Sequence, residues 1–372
     1  MLDPIESFRL ARQAPIHEQI TAFLRQQILS GTITAGSTLP ATPLLARQFG
    51  VSITVIQAAV APLALEGLIV RKPRVGTIVR GRAASLGRIG VYRISDPHRE
   101  ARPHFARSLA DFLTVQLKQN GASVIPMTEV RDPGNRMEMS KELAVALQSR
   151  VVDGVIACET DPTAYALLTQ AQAPVALYGM ASHPRVISHD FHQFIEVGIS
   201  SLKQRGCSSV GLISILPTNA SEADGTPHCC NDLRGRFVTH ATSEGLIVEP
   251  RWLCTPEVTN SVLEFEAERF GYESMLRIWT GETKPDGLLI YTDLAARGAV
   301  MGLLSCEVKG TVRPHLVIHR NNEMDMFCPI PVDVMEVSIE ATAKALIESI
   351  KHQASGHQPT WRQLPFHLTP HP

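Results

Sequence analysis

Apolar residues recur at every fourth position of PIHEQITAFLRQQILSG, at Ile16, Ile20, Leu24 and Ile28. That spacing lays one face of a helix, and Gly31 stands where a C-cap is needed. LPATPLLARQFG predicts a second helix, with Thr42 as N-cap, Pro43 at the first helical position and Gly50 as the break. VSITVIQAAVAPLALEGL starts a third from Ser52 and closes at Gly67. In LIVRKPRVGTIV two short β runs flank Lys72-Pro73-Arg74, which reads as a hairpin with a basic tip. Two short helices joined by a tight glycine turn form a helix-turn-helix pattern, and the hairpin adds a wing.

From Leu86 onward the period alternates. Continuous apolar runs such as LGRIGVYRIS, VVDGVIAC, SSVGLISIL and DGLLIYT read as strands. Between them lie amphipathic helical patterns, among them ARPHFARSLADFLTVQLKQNG and HDFHQFIEVGISSLKQRG. VDVMEVSIEATAKALIESIKHQ reads as one closing helix. Such alternation predicts an α/β fold whose parallel strands are covered on both faces. The strands are too many for one sheet, so two doubly wound lobes are expected. The expected organisation is a winged helix-turn-helix over 1–80, a linker over 81–85 and a core over 86–372. Lobe one of the core would take 86–187 and 322–352, and lobe two 188–321 and 353–372.

Composition changes this picture little. At 372 residues, 44% apolar and 19% charged, the chain reads as an ordinary globular protein of two or three compact units. It lacks an apolar run of about 18 residues and a signal-peptide pattern at its start, so a cytoplasmic location without a membrane partner is expected. Seven cysteines, an odd number without repeated spacing, fit reduced thiols. Charge is more telling. Residues 1–82 hold nine Lys/Arg against four Asp/Glu, a net +5, which leaves −6 for the remainder. A basic head on an acidic body suits a DNA reader joined to a sensor.

The head resembles the winged helix-turn-helix of the GntR family of bacterial transcription regulators. The shared pieces are P-x-x-x-Q-I (Pro15, Gln19, Ile20), G-x-x-x-x-G-x-x-L-P (Gly31 to Pro40), L-A (Leu45, Ala46), G-V-S (Gly50 to Ser52), L-x-x-E-G-L-I (Leu63 to Ile69) and G-T-x-V (Gly76 to Val79). The resemblance implies DNA contacts from Thr42, Ser52, Ile53, Thr54 and Gln57, and from Arg71, Lys72, Arg74, Gly76 and Thr77 in the wing. The family pattern carries arginine where this chain has Pro43, Ile53 and Gln57. Since arginine on guanine is the commonest specific contact, while glutamine suits adenine and an apolar group the thymine methyl, an operator core enriched in A·T is expected. Fewer phosphate-binding arginines also imply a shallower salt dependence. Pro62 removes one hydrogen bond from the third helix.

The core resembles the effector domain of the lactose/galactose repressor family, itself similar to periplasmic sugar-binding proteins. The carriers are D-x-x-A-x-G (Asp293, Ala296, Gly298), VDGVIA (Val152 to Ala157), VISHD (Val186 to Asp190) and KQRGCSSVGLI. A GntR-type head on such a core resembles the arrangement of the arabinose repressor. This implies a small-molecule effector, a sugar above all, held between the lobes near Ser95, Asp96, Asp190, Arg234, Trp252, Asp293 and Asn321. For Asp293 and Asp190, helix capping stands beside ligand contact as a reading; for Trp252, a core position does. Arg234 lies one residue away from the family's pattern, and Asn321-Asn322 stand where that family often has an acidic pair.

Other chemistry finds little support. His189 and His192 could join Cys229 or Cys230 on a metal, but a convincing third ligand is missing, and neither metal nor cofactor is expected. No P-loop, dinucleotide fingerprint or nucleophile elbow is present, and the body offers no lysine in aminotransferase-like surroundings. The expectation is a non-enzymatic, ligand-responsive regulator, a homodimeric repressor on a pseudo-palindromic operator. A head that only dimerises or contacts a protein partner is the alternative.

Overall fold

The computed structural model describes residues 15–29, 32–34, 36–66, 68–72, 75–79, 86–95, 105–130, 140–148, 151–216, 228–256, 266–306, 313–322 and 327–372. Gly31, Gly67, Pro73, Arg74, Asp96 and the 81–85 linker lie outside them.

The head runs α1 (Ile16–Leu29), β1 (Thr38–Leu39), α2 (Thr42–Phe49), α3 (Ile53–Leu65), β2 (Ile69–Lys72) and β3 (Gly76–Val79). Gly50 ends α2 in the left-handed region (φ 66°), its amide reaching back to the Ala46 and Arg47 carbonyls. The chain thereby turns by 108° into α3, as a helix-turn-helix requires. Ile20, Leu24, Ile56, Leu63 and Val79 are buried in one small core. Thr21 Oγ1 donates to the Ala59 carbonyl at 2.8 Å and fastens α1 to α3. The wing is antiparallel, with β3 between β1 and β2. Pro62 lies within α3, which continues to Leu65.

The core follows as β4 (Arg88–Ile94), α4 (Phe105–Gln119), β5 (Ser123–Glu129), α5 (Lys141–Gln148), β6 (Gly154–Ala157), α6 (Pro162–Gln170), β7 (Val175–Tyr178) and β8 (Val186–His189). It continues with α7 (Phe191–Gln204), β9 (Val210–Ser214), α8 (Leu233–Ser243), β10 (Leu253–Cys254), α9 (Ala267–Trp279), β11 (Gly287–Tyr291), α10 (Asp293–Cys306) and β12 (His315–Asn321). It ends with β13 (Asp333–Val337), α11 (Ile339–Ala354), β14 (Arg362–Leu364) and β15 (His367–Thr369). Two six-stranded sheets result, in the orders β14-β8-β7-β6-β4-β5 and β10-β9-β11-β12-β13-β15. All neighbours are parallel except β15, which runs against β13. Strands such as β6, β9 and β11 are buried at every residue, as sheets covered on both faces require. No single helix among the described residues is long and apolar enough to cross a membrane.

The lobe boundaries differ from those expected. VDVMEV is a strand of the second sheet, with Val317 opposite Asp333 and Asn321 opposite Val337; the helix starts only after Ser338, whose hydroxyl accepts from the Ala341 amide. Helical periodicity downstream had masked the two-residue alternation upstream. The late strand β14 joins the first sheet beside β8, so 333–337 belongs to lobe two and 362–364 to lobe one. Sequence reading also passed over β8, β10, β14 and β15, which are too short to show a period of their own.

Candidate nucleic-acid interface and interlobe cavity

The start of α3 is set by Ser52, whose hydroxyl accepts from the Val55 amide at 3.4 Å. Burial of Ile56, Ala59, Val60 and Leu63 turns the opposite face outward. Ile53, Thr54 and Gln57 are therefore all exposed. The helix carries no charged side chain along its 13 residues, so its readout rests on an amide, a hydroxyl and an alkyl group. Positive charge sits at Arg47 on α2 and at Arg71 and Lys72 on β2, all exposed. Gly76 at the wing tip has φ 114°, and a Cβ there would press on the Thr38 methyl. Thr77 pairs with Arg71 across the hairpin. Thr42 is not the cap of α2. Ala41 is, without a side-chain bond, while Thr42 and Pro43 form the first turn. Arg25 pairs with both oxygens of Glu66, tying α1 to the end of α3.

In the core, the chain passes between the sheets at Asp190, at Ser338 and at Pro365-Phe366. The first and third passages are bonded together. The Asp190 amide donates to the Leu364 carbonyl at 2.9 Å, and Gln193 both accepts from the Phe366 amide and donates to its carbonyl. Around them runs a ladder of rings linking the lobes. Phe105 meets Tyr178 (centroids 4.8 Å apart), His189 meets Phe366 (5.4 Å), and Tyr291 meets His319 (4.7 Å). His319 in turn meets Phe366 at 6.0 Å. Burial pushes both imidazoles down to about 3, with the His319 charge adding to the effect on His189.

Beside this ladder lies a cavity of about 350 Å3. Lobe one supplies Asp190, Trp361 and Gln363, and the other wall brings His228, Asn231 and Arg236. Asp190 caps α7, its Oδ1 accepting from the His192 and Gln193 amides at 3.0 Å each. Trp361 Nε1 donates to Ser188 Oγ at 3.2 Å, and the residue stays 40% exposed. Cys229 borders the same space; burial pushes its thiol up, while the Arg236 charge pulls the other way.

The residues expected from sequence are thus divided. Asp190 lines the cavity. Arg234 does not; Arg236, two residues later on α8, takes that place. Trp252 is a core residue packed with Cys254, Ile278 and Trp279, its Nε1 donating to the Thr283 carbonyl. Ser95 directly follows β4, its amide donating to the Glu129 carbonyl. Asp293 and Asn321 pair with each other at the carboxyl ends of β11 and β12, outside the cavity wall. Burial raises the Asp293 carboxyl above its usual range. His189 and His192 diverge, one into the ring ladder and the other outward to Glu196 at 3.4 Å. Sequence reading missed Trp361, Gln363 and His228, which flank short strands or bridges with no motif; the isolated aromatic before RQLPF was the only signal.

Residues 16–79 match the bacterial regulatory proteins of the gntR family. Over 76 residues, 20% of the chain, it is 37% identical to the uncharacterized HTH-type transcriptional regulator YieP of Escherichia coli (strain K12), and the match spans 33% of that relative's length. Among solved structures, a LacI family transcription regulator from Clostridium acetobutylicum superposes with a TM-score of 0.56 at 16% identity, over 77% of this chain and 99% of that one. The transcriptional regulator CelR in complex with cellobiose aligns over 96% of this chain and 99% of its own, with a TM-score of 0.59 at 13% identity. The head is therefore a GntR-type winged helix, and the core has the fold of LacI-family regulators.

Proposed function

We propose that this protein is a ligand-responsive transcription repressor that binds a pseudo-palindromic operator as a homodimer. A carbohydrate effector held between the lobes would change its affinity for DNA. The carrying observation is the joining, in one chain, of an exposed, capped recognition helix with a two-lobed core whose passages frame a polar cavity. Ligands of doubly wound sheets bind beyond the carboxyl ends of the strands, where Asp190 and the Asp293–Asn321 pair stand. Coupling needs only different effector affinities for two dimer geometries, not contact between the sites. Thr54 and Gln57 are assigned to base edges, Ile53 to a thymine methyl, and Arg71 and Lys72 to phosphates. Non-enzymatic action in the cytoplasm completes the reading.

The test is capture of sheared genomic DNA by the purified protein, followed by sequencing. A recurring palindrome with an A·T-rich core supports the reading, and uniform recovery overturns it. The charge-free α3 with its exposed Ile53 favours a second reading, in which the head binds a partner protein or its own copy. Replacing Arg71 and Lys72 by alanine separates the two, because DNA affinity collapses only under the first.

A further inference from the structure

We infer that the interlobe cavity selects an anionic sugar: a hydroxylated ring that also carries a carboxylate or phosphate. This rests on the effector reading above and narrows it. Arg236 lines the cavity, and its guanidinium forms no hydrogen bond or ion pair with another described residue. The one acid among the lining residues, Asp190, forms no ion pair with it. Asp190 spends Oδ1 on two amides at the start of α7, where the helix dipole favours its charge. His192 is turned to Glu196. Closing the lobes on a neutral sugar would bury the guanidinium with hydroxyl partners but no counter-charge, which is costly. An anion on the ligand removes that cost and matches the guanidinium fork with two parallel bonds.

The remaining wall suits the rest of such a molecule. Asp190 Oδ2 accepts from no described residue and is free to take ring hydroxyls. Trp361, its indole fixed by the bond to Ser188 Oγ, offers an apolar face to the C–H side of a pyranose. The volume of about 350 Å3 accommodates one or two sugar rings.

The experiment titrates the full chain with D-glucuronate, D-galacturonate and D-glucose 6-phosphate, and with D-glucose and D-galactose as neutral counterparts. Tryptophan emission and calorimetry are the readouts. Trp252 and Trp279 are buried and Trp361 is the exposed tryptophan, so a ligand-induced emission change should vanish in Trp361→Phe. Binding of at least one anionic probe, about tenfold or more tighter than its neutral counterpart, is expected. Arg236→Gln should erase that preference without moving the melting temperature, since the side chain is exposed on α8. The acid and phosphate arms say which anion is meant. Neutral sugars bound as tightly as acids, with Arg236→Gln silent, would overturn the anion selection and leave the sugar sensor standing. An emission change that survives in Trp361→Phe, or no binding of any probe by calorimetry, would overturn the site itself.

Discussion

Asn321 donates from Nδ2 to Oδ2 of Asp293 at 3.0 Å, joining the carboxyl ends of the neighbouring strands β12 and β11. The other carboxylate oxygen accepts from the Leu294 amide at 2.9 Å and opens α10. Burial raises the Asp293 pKa above its usual value, so its ionised form opposes folding at neutral pH. This contribution favours the folded state at low pH and is lost as pH rises through the folded value. Asp293→Asn keeps an amide partner for Asn321. It is expected to raise the melting temperature at pH 7 and to remove part of the pH dependence, as melts across pH 4–7 will record.

Asp333 behaves in the opposite sense. Burial opposes its charge, yet Arg205, Ser201 and the His371 amide together hold its carboxyl below the usual range. Its oxygens accept from Arg205 Nη2 at 2.6 Å, Ser201 Oγ at 2.7 Å and the His371 amide at 2.8 Å. The residue ties α7, β13 and the C-terminal segment together. Asp333→Ala should cost about 3 kcal/mol, because a buried network loses its only anion. In the parent protein this stability is present above the ordinary carboxylate pKa and is lost as pH falls below it; denaturant titrations at pH 3 and pH 7 test both statements.

The ring ladder makes the lobe junction acid-sensitive. Burial holds His189 and His319 down to about 3 when folded, against about 6.5 when unfolded. Their contribution is complete above about 6.5 and declines as pH falls from there toward 3. His319 Nδ1 also lacks a hydrogen-bond partner among the described residues. His319→Phe should stabilise the protein by about 1 kcal/mol and reduce the slope of stability against pH by one proton.

Helices α9 and α10 touch backbone to backbone. A Cβ on Gly298 would overlap the Glu268 carbonyl, and one on Gly271 the Ala295 carbonyl. Gly298→Ala is expected to cost at least about 3 kcal/mol, a fall of roughly 5–10 °C in melting temperature by calorimetry.

In the head, Ser52→Ala should remove about 1 kcal/mol by uncapping α3. Gln57→Ala should relax base preference at one operator position by about 1–3 kcal/mol. Lys72→Ala should weaken binding to all sequences alike and lower the salt slope by about one. Binding titrations against two operators at two salt concentrations distinguish these effects.

The head was legible in the sequence because its determinants are local. The four-residue apolar period of α1, the left-handed Gly50 and the Ser52 cap each act within a few residues, and the buried strands of the core announced themselves as apolar runs. Thr42 shows the limit of that legibility: Pro43 marked the right turn, yet the cap fell one residue earlier at Ala41. What only the tertiary structure decided is which segments meet. Asp190 and Trp361 are 171 residues apart in sequence, and they share one wall because β14 returns to lie beside β8. Such a return is set by which sheet edge is open for pairing, an energy that belongs to the packed whole. The same holds for Arg236 over Arg234, since the turn before α8 fixes which side of that helix faces the cavity. Sequence settled the head, most of the core's longer elements and the chemistry at hand, while long-range packing made strands of DVMEV and RQL and chose which groups would stand together.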